Sequence, residues 1–204
     1  MIDFLYSLDK AAFYFVNTIL ANPIFDAVMP PLTDWNKSWI GLSIFGVLWL
    51  LLVLKGGKKG RVVGAMLVIL IIFTDQISSH LLKPLFARPR PCHGMADHVR
   101  LLVDCGSGFS FPSSHAVNNS GFAFFMSYHY RRWTWGFAAY AFLMCISRVV
   151  VGVHYPSAVV GGALIGAFCA VLLIYVQGDL MRKFPSLEPS ISPENYGRWT
   201  QKLL

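Results

Sequence analysis

Residues 147–178 read SRVVVGVHYPSAVVGGALIGAFCAVLLIYVQG. From Pro156 to Gly178 the stretch holds 23 residues with no charge. A run of about 17–25 apolar residues crosses a bilayer as a helix, because only a helix satisfies its own backbone there. The mouth of this run carries an arginine, Arg148, and a histidine, His154. Ionisable groups at a membrane edge are costly and are functional candidates by default.

Working outward, four more runs lack charge almost entirely: Ser38–Leu54, Val62–Leu82 with Asp75 and His80 towards its end, Ala116–Tyr130, and Trp133–Ser147. The N-terminal stretch is interrupted. Ala11–Ala21 is apolar, Asn22-Pro23 breaks it, Ile24–Leu32 resumes, and Pro30-Pro31 with Asp34 ends it. This pattern predicts a bent or broken first span, or an interfacial helix followed by a short span. The fold expected is an all-α, polytopic membrane helical bundle of about six transmembrane helices, one domain over residues 1–204.

Composition agrees. The 204 residues are 55% hydrophobic and 13% charged, and the mean hydropathy of +0.55 is too high for an ordinary soluble domain. The start, MIDFLYSLDK, has no basic region before an apolar stretch, so no cleavable signal peptide is expected. A net charge of +7 reads as positive-inside loops plus an anionic ligand, with no nucleic-acid partner.

Lys55, Lys58, Lys59 and Arg61 follow the first uninterrupted span, Arg131 and Arg132 follow the third, and Arg182 and Lys183 follow the last. Alternating spans put these clusters on one side, the cytoplasmic one. The loop at about 83–115 and the turn Arg148–Tyr155 then share the outer side, with the tail at about 179–204 a loose cytoplasmic end. The outer segments nevertheless hold Lys83, Arg88, Arg90, Arg100 and Arg148, an excess of cations that asks for an anion.

Three outer segments carry the chemistry: KPLFARPRP with Lys83 and Arg90, FPSSHA with Ser113, Ser114 and His115, and SRVVVGVHYP with Arg148 and His154. Arginine forks and a lysine point charge grip phosphate oxygens. Ser113 as an N-cap would leave the Ser114 and His115 N–H groups free for phosphate. Two histidines supply a nucleophile and a proton donor. No Cys/His or carboxylate cluster has metal-ligand spacing, so no metal and no cofactor is expected. Arg88, His93 and His98 read as loop residues. Cys145 and Cys169 read as buried small residues, and Cys92 and Cys105, 13 residues apart, as either a disulfide bracing the outer loop or two free thiols.

Together the three motifs resemble the type 2 phosphatidic acid phosphatase superfamily, whose signature is KxxxxxxRP, PSGH and SRxxxxxHxxxD. The short chain is similar to the bacterial integral-membrane branch, which includes undecaprenyl diphosphate, phosphatidylglycerophosphate and lipid A phosphatases. The resemblance implies a six-helix, haloperoxidase-like core without metal. It implies that His154 is the nucleophile, that His115 is the general acid, and that Lys83, Arg90, Ser113, Ser114 and Arg148 bind phosphate. It also implies a multi-pass protein of the bacterial inner membrane, and the basic loops then place its active site facing the periplasm or the outside. The substrate expected is undecaprenyl diphosphate at the outer leaflet, processed through a phosphohistidine, with phosphatidylglycerophosphate or lipid A phosphate as alternatives. A non-catalytic lipid-phosphate binder or flippase is the rival from another class.

Two positions depart from the signature. Ser114 stands where the family has glycine, and Ala158 where it has the aspartate that would hold the Nδ1 proton of His154. Without that carboxylate the chain is expected to be a weak enzyme, to borrow Asp75 or Asp104, or to be an inactive form.

Overall fold

The computed structural model describes residues 2–95 and 98–184. Among them the secondary structure is helical throughout: α1 (Ile2–Tyr14) with a π-helical end (Phe15–Ile19), α2 (Pro23–Asp34), a 3-10 turn (Trp35–Lys37), α3 (Trp39–Lys55), α4 (Gly57–Gln76) continuing through a π-helical stretch (Ile77–Leu82) into α5 (Lys83–Phe86), then α6 (Pro91–Gly94), α7 (Ser114–His129), α8 (Thr134–Val150) and α9 (Pro156–Lys183).

The N-terminal break is real. The Asn22 side chain caps α2 by accepting from Phe25 N–H at 3.0 Å, and Pro23 occupies its first turn. The two helical pieces around that break are bent by 112°, so residues 4–34 make no single straight crossing. Among the described residues three helices are long and apolar enough to cross a membrane, and the bent pair would make a fourth. The shorter α3, with 17 residues, and α7, with 16, complete a set of six. α9 runs to Lys183 with Phe184 as its cap, so residues 179–183 of the expected loose tail are helix, and residues 185–204 lie outside the described residues.

α9 shows how the bundle sorts its faces. Val160, Leu164, Phe168 and Tyr175 form an exposed apolar stripe, the pattern of a lipid-facing helix. The opposite face buries Gly162, Gly166, Cys169 and Ala170. A Cβ on Gly166 would lie 2.1 Å from the Val117 carbonyl oxygen, and one on Gly162 would lie 2.8 Å from the Ser113 carbonyl oxygen. Small residues four apart thus let α7 and α9 touch backbone to backbone, the usual route to tight packing in lipid. The same contact places the first turn of α7, with His115, beside the first turn of α9.

The segments that carry the motifs are tied down by a few polar residues. Asn17, fully buried, donates to the Arg100 and Val150 carbonyls at 2.9 and 2.8 Å and accepts from Arg100 N–H at 2.9 Å. Arg100 also pairs with Asp26 at 2.5 Å. These bonds pin the loop before α7 to Asn17, to α2 and to the end of α8.

Candidate functional site

The spacing between Arg148 and His154 has a local cause. α8 ends with Gly152 at φ +89°, Gly152 N–H bonding the Val149 carbonyl at 3.1 Å and Val153 N–H the Arg148 carbonyl at 3.2 Å. This is a Schellman cap with glycine at its left-handed position. His154 N–H also bonds the Arg148 carbonyl at 3.2 Å. The chain therefore doubles back, and both side chains reach one place.

That place is a cavity of about 380 Å³ lined by Lys83, Arg90, Ser114, His115, Arg148 and His154. Six of the seven residues expected to bind or react come together there. Ser113 does not line it. Ser113 occupies the N-cap position of α7, but its hydroxyl makes no capping bond and is buried without a partner. Its backbone does the work instead, its N–H bonding the Ala158 carbonyl at 3.0 Å and joining the α7 start to α9. Ser114 is the first helical residue of α7, with ordinary negative φ, so replacement of glycine costs no strain. Its hydroxyl lies 3.2 Å from Ser78 and 3.4 Å from Ser79 Oγ.

The cations are held by their surroundings. Arg148, 5% exposed, donates from Nη1 to Thr33 Oγ1 at 2.8 Å and lies 3.8 Å from Asp34. Arg90 donates to the Cys105 carbonyl. Cys92 and Cys105 form a disulfide, with Cα atoms 6.3 Å apart, so the loop bearing Arg90 is fastened to the wall of the cavity. Cys145 and Cys169 are free and buried. The Nε atoms of Arg90 and Arg148 and Nε2 of His115 are buried without a hydrogen-bond partner among the described residues. Three orphaned polar groups around one cavity are the signature of a site built for a polar ligand, and their positive neighbours select an anion.

His154 is 2% exposed. Its Nδ1 sits 2.7 Å from the Ser110 carbonyl oxygen. Neither Asp75 nor Asp104 takes that position, which corrects the expectation of a borrowed carboxylate; Asp104 lines the cavity and accepts from Gly106 N–H at 3.3 Å. Burial, followed by the charges of Arg148 and Arg90, pushes the His154 pKa well below its ordinary 6.5, against the opposing effect of the Ser110 bond. The shift favours the neutral ring near pH 7.

The sequence reading missed Asp34, Lys37 and Ser79, all of which line the cavity. Ser79 lies four residues before Lys83, and the turn at Asp34–Lys37 joins α2 to α3, so both signals were present. Thr33 and Ser110 carried no signal, because one acts from a buried helix end and the other through its backbone. Arg88 is no plain loop residue: it pairs with Asp9 at 2.6 Å and donates to Ser157 Oγ at 2.7 Å.

Comparison with known proteins identifies the family. The lipid A 4'-phosphatase of Bacteroides thetaiotaomicron is 32% identical over 195 residues, covering 93% of this chain and 85% of that protein. The undecaprenyl-diphosphatase BcrC of Bacillus subtilis is 29% identical over 62% of this chain and 64% of its own. The crystal structure of Aquifex aeolicus LpxE superposes with a TM-score of 0.68 at 27% identity, covering 82% of this chain and 95% of that one. The PAP2 superfamily model matches residues 64–182, a span that contains Lys83, Arg90, His115, Arg148 and His154. With more than half its length matched and its motif residues gathered around one cavity, the chain belongs to the PAP2 superfamily, whose phosphatases hydrolyse lipid phosphate esters.

Proposed function

We propose that this membrane lipid phosphatase of the PAP2 type removes the terminal phosphate of a glycolipid resembling lipid A, at the outer leaflet of a bacterial inner membrane. The observation that carries the reading is the His154 ring: Nδ1 is spent on a carbonyl, and Nε2 is left as the free atom of a residue that lines a cation-rich cavity. Nε2 attacks phosphorus in line. The bond from phosphorus to the lipid oxygen breaks, and His115 gives its proton to that oxygen. Water then attacks the phosphohistidine, His115 takes a proton from the water, and inorganic phosphate leaves. Lys83, Arg90 and Arg148 neutralise the equatorial oxygens, the dominant contribution in phosphoryl transfer.

Lipid A phosphate is placed ahead of undecaprenyl diphosphate because the lipid A 4'-phosphatase likeness runs through 93% of the chain, including the N-terminal residues that line the cavity. The undecaprenyl diphosphate reading keeps one supporting observation, the extra cation Lys37 on the cavity, which suits a second phosphate. The test is phosphate release from lipid A, undecaprenyl diphosphate and phosphatidylglycerophosphate by the purified chain and its His154→Ala variant. Release from lipid A at the highest kcat/KM, lost in the variant, supports the proposal. Preference for the diphosphate moves the substrate, and binding with no release from any lipid favours the non-catalytic reading.

A further inference from the structure

The signature's aspartate is absent, yet His154 is not left unaimed. Resting on the reading of His154 as nucleophile, we propose that the backbone carbonyl of Ser110 orients this histidine in place of a carboxylate, and that Asp9, Arg88 and Ser157 are positioning residues that hold the pair in register.

A carbonyl oxygen only accepts, so its 2.7 Å contact with Nδ1 requires the proton to sit on Nδ1 and leaves Nε2 as the lone-pair atom. Position 158 offers no acceptor in this chain. Ala158 is 0% exposed, in a buried cluster with Phe13, Ala116 and Tyr155, and its methyl group can take no proton from Nδ1.

The carbonyl is itself anchored. Ser110 is 0% exposed, and its N–H bonds the Arg88 carbonyl at 2.7 Å. The Arg88 guanidinium lies 4.0 Å from the Tyr155 ring centre, pairs with Asp9 and donates to Ser157. Asp9 also accepts from Ser157 N–H at 2.9 Å, three residues beyond His154. One cluster therefore grips both sides of the bond, the loop that carries Ser110 and the helix start that follows His154. Asp9 lies outside the PAP2 match at residues 64–182, so α1 contributes to aiming a nucleophile that belongs to the family core. Its side chain is 10% exposed and that of Arg88 is 11% exposed, as a structural clamp requires.

The experiment labels histidine ring nitrogens with ¹⁵N in the detergent-solubilised full chain and assigns His154 by its loss in His154→Ala. The expected spectrum at pH 7 shows a protonated Nδ1 and a bare Nε2; a protonated Nε2 overturns the proposal. With Nδ1 already paired, Ala158→Asp is expected to leave phosphate release the same or lower, and a tenfold gain overturns the proposal. Should that variant not fold, the tautomer measurement on the unaltered chain decides alone. Asp9→Asn is expected to cut kcat about tenfold with KM within twofold and to mix the two tautomers, and Asp9→Glu to recover part of the rate. An Asp9→Asn protein with unchanged kcat and tautomer removes the clamp from the proposal. Failure of the underlying reading looks different: His154→Ala would still turn over.

Discussion

Thr33→Val isolates the aim of Arg148 without touching a residue of the three motifs. Thr33 is fully buried, and its hydroxyl oxygen accepts from Arg148 Nη1 at 2.8 Å and from Ser147 Oγ at 3.0 Å. Valine has nearly the same shape, so no cavity opens. Ser147 keeps its bond to the Met144 carbonyl at 2.8 Å, so its loss is small. Arg148 loses a buried hydrogen bond to a charged donor, worth about 1.5–3 kcal/mol. The remaining attraction is Asp34 at 3.8 Å, which draws the guanidinium to the edge of the cavity. At about 1.4 kcal/mol per decade the full effect on the transition state is roughly 10- to 150-fold in kcat/KM. The assay is phosphate release from the preferred lipid phosphate in detergent micelles, with folding followed by gel filtration. Thr33→Ser, which restores the hydroxyl, recovers most of the rate. A Val variant within twofold of the unaltered chain would refute the argument that Thr33 positions Arg148.

Three more expectations follow from the same structure. Because the His154 pKa is lowered on folding, the unfolded chain binds the extra proton below about pH 6.5 and the folded chain resists it, so stability present above pH 6.5 falls as the pH drops; thermal unfolding at pH 5 against pH 7.5 shows the loss, and His154→Gln reduces it. Reducing the Cys92–Cys105 bond, or replacing both by serine, removes roughly 2–4 kcal/mol of stability and loosens the Cys105 carbonyl that receives Arg90; a lower melting temperature and weaker substrate saturation check it. Gly166→Ala puts a Cβ within 2.1 Å of the Val117 oxygen and costs about 1–3 kcal/mol as α7 and α9 separate; activity of the folded fraction should fall too, since that contact holds His115 near His154.

The apolar runs gave the helices away, but charge ends a lipid-facing run without ending a helix: α4 begins at Gly57, before Lys58, Lys59 and Arg61, and α9 continues through Asp179 to Lys183. Pro156 opens α9 as the sequence suggests, and Asn22-Pro23 marks the 112° bend. The three motifs exposed most of the cavity because its binding groups are long charged side chains. What escaped is what works through backbone or at a distance. The carbonyl of Ser110 has no side-chain signature, and Ala158 looked like a defect because the sequence cannot show another acceptor already in place. Asp9 and Arg88 lie 79 residues apart, and only the fold makes them partners. Ser113 misled in the opposite sense: its residue type suited a cap, yet its hydroxyl caps nothing and its N–H holds α9.

The central claim, that His154 carries the phosphoryl group, is tested by trapping the intermediate. The chain is mixed with a ³²P-labelled lipid phosphate, quenched in alkali within one turnover, digested, and the labelled peptide sequenced. The account predicts alkali-stable, acid-labile label on the peptide containing His154, absent from His154→Ala. Label on His115 or a serine, or undiminished turnover by His154→Ala, would contradict it.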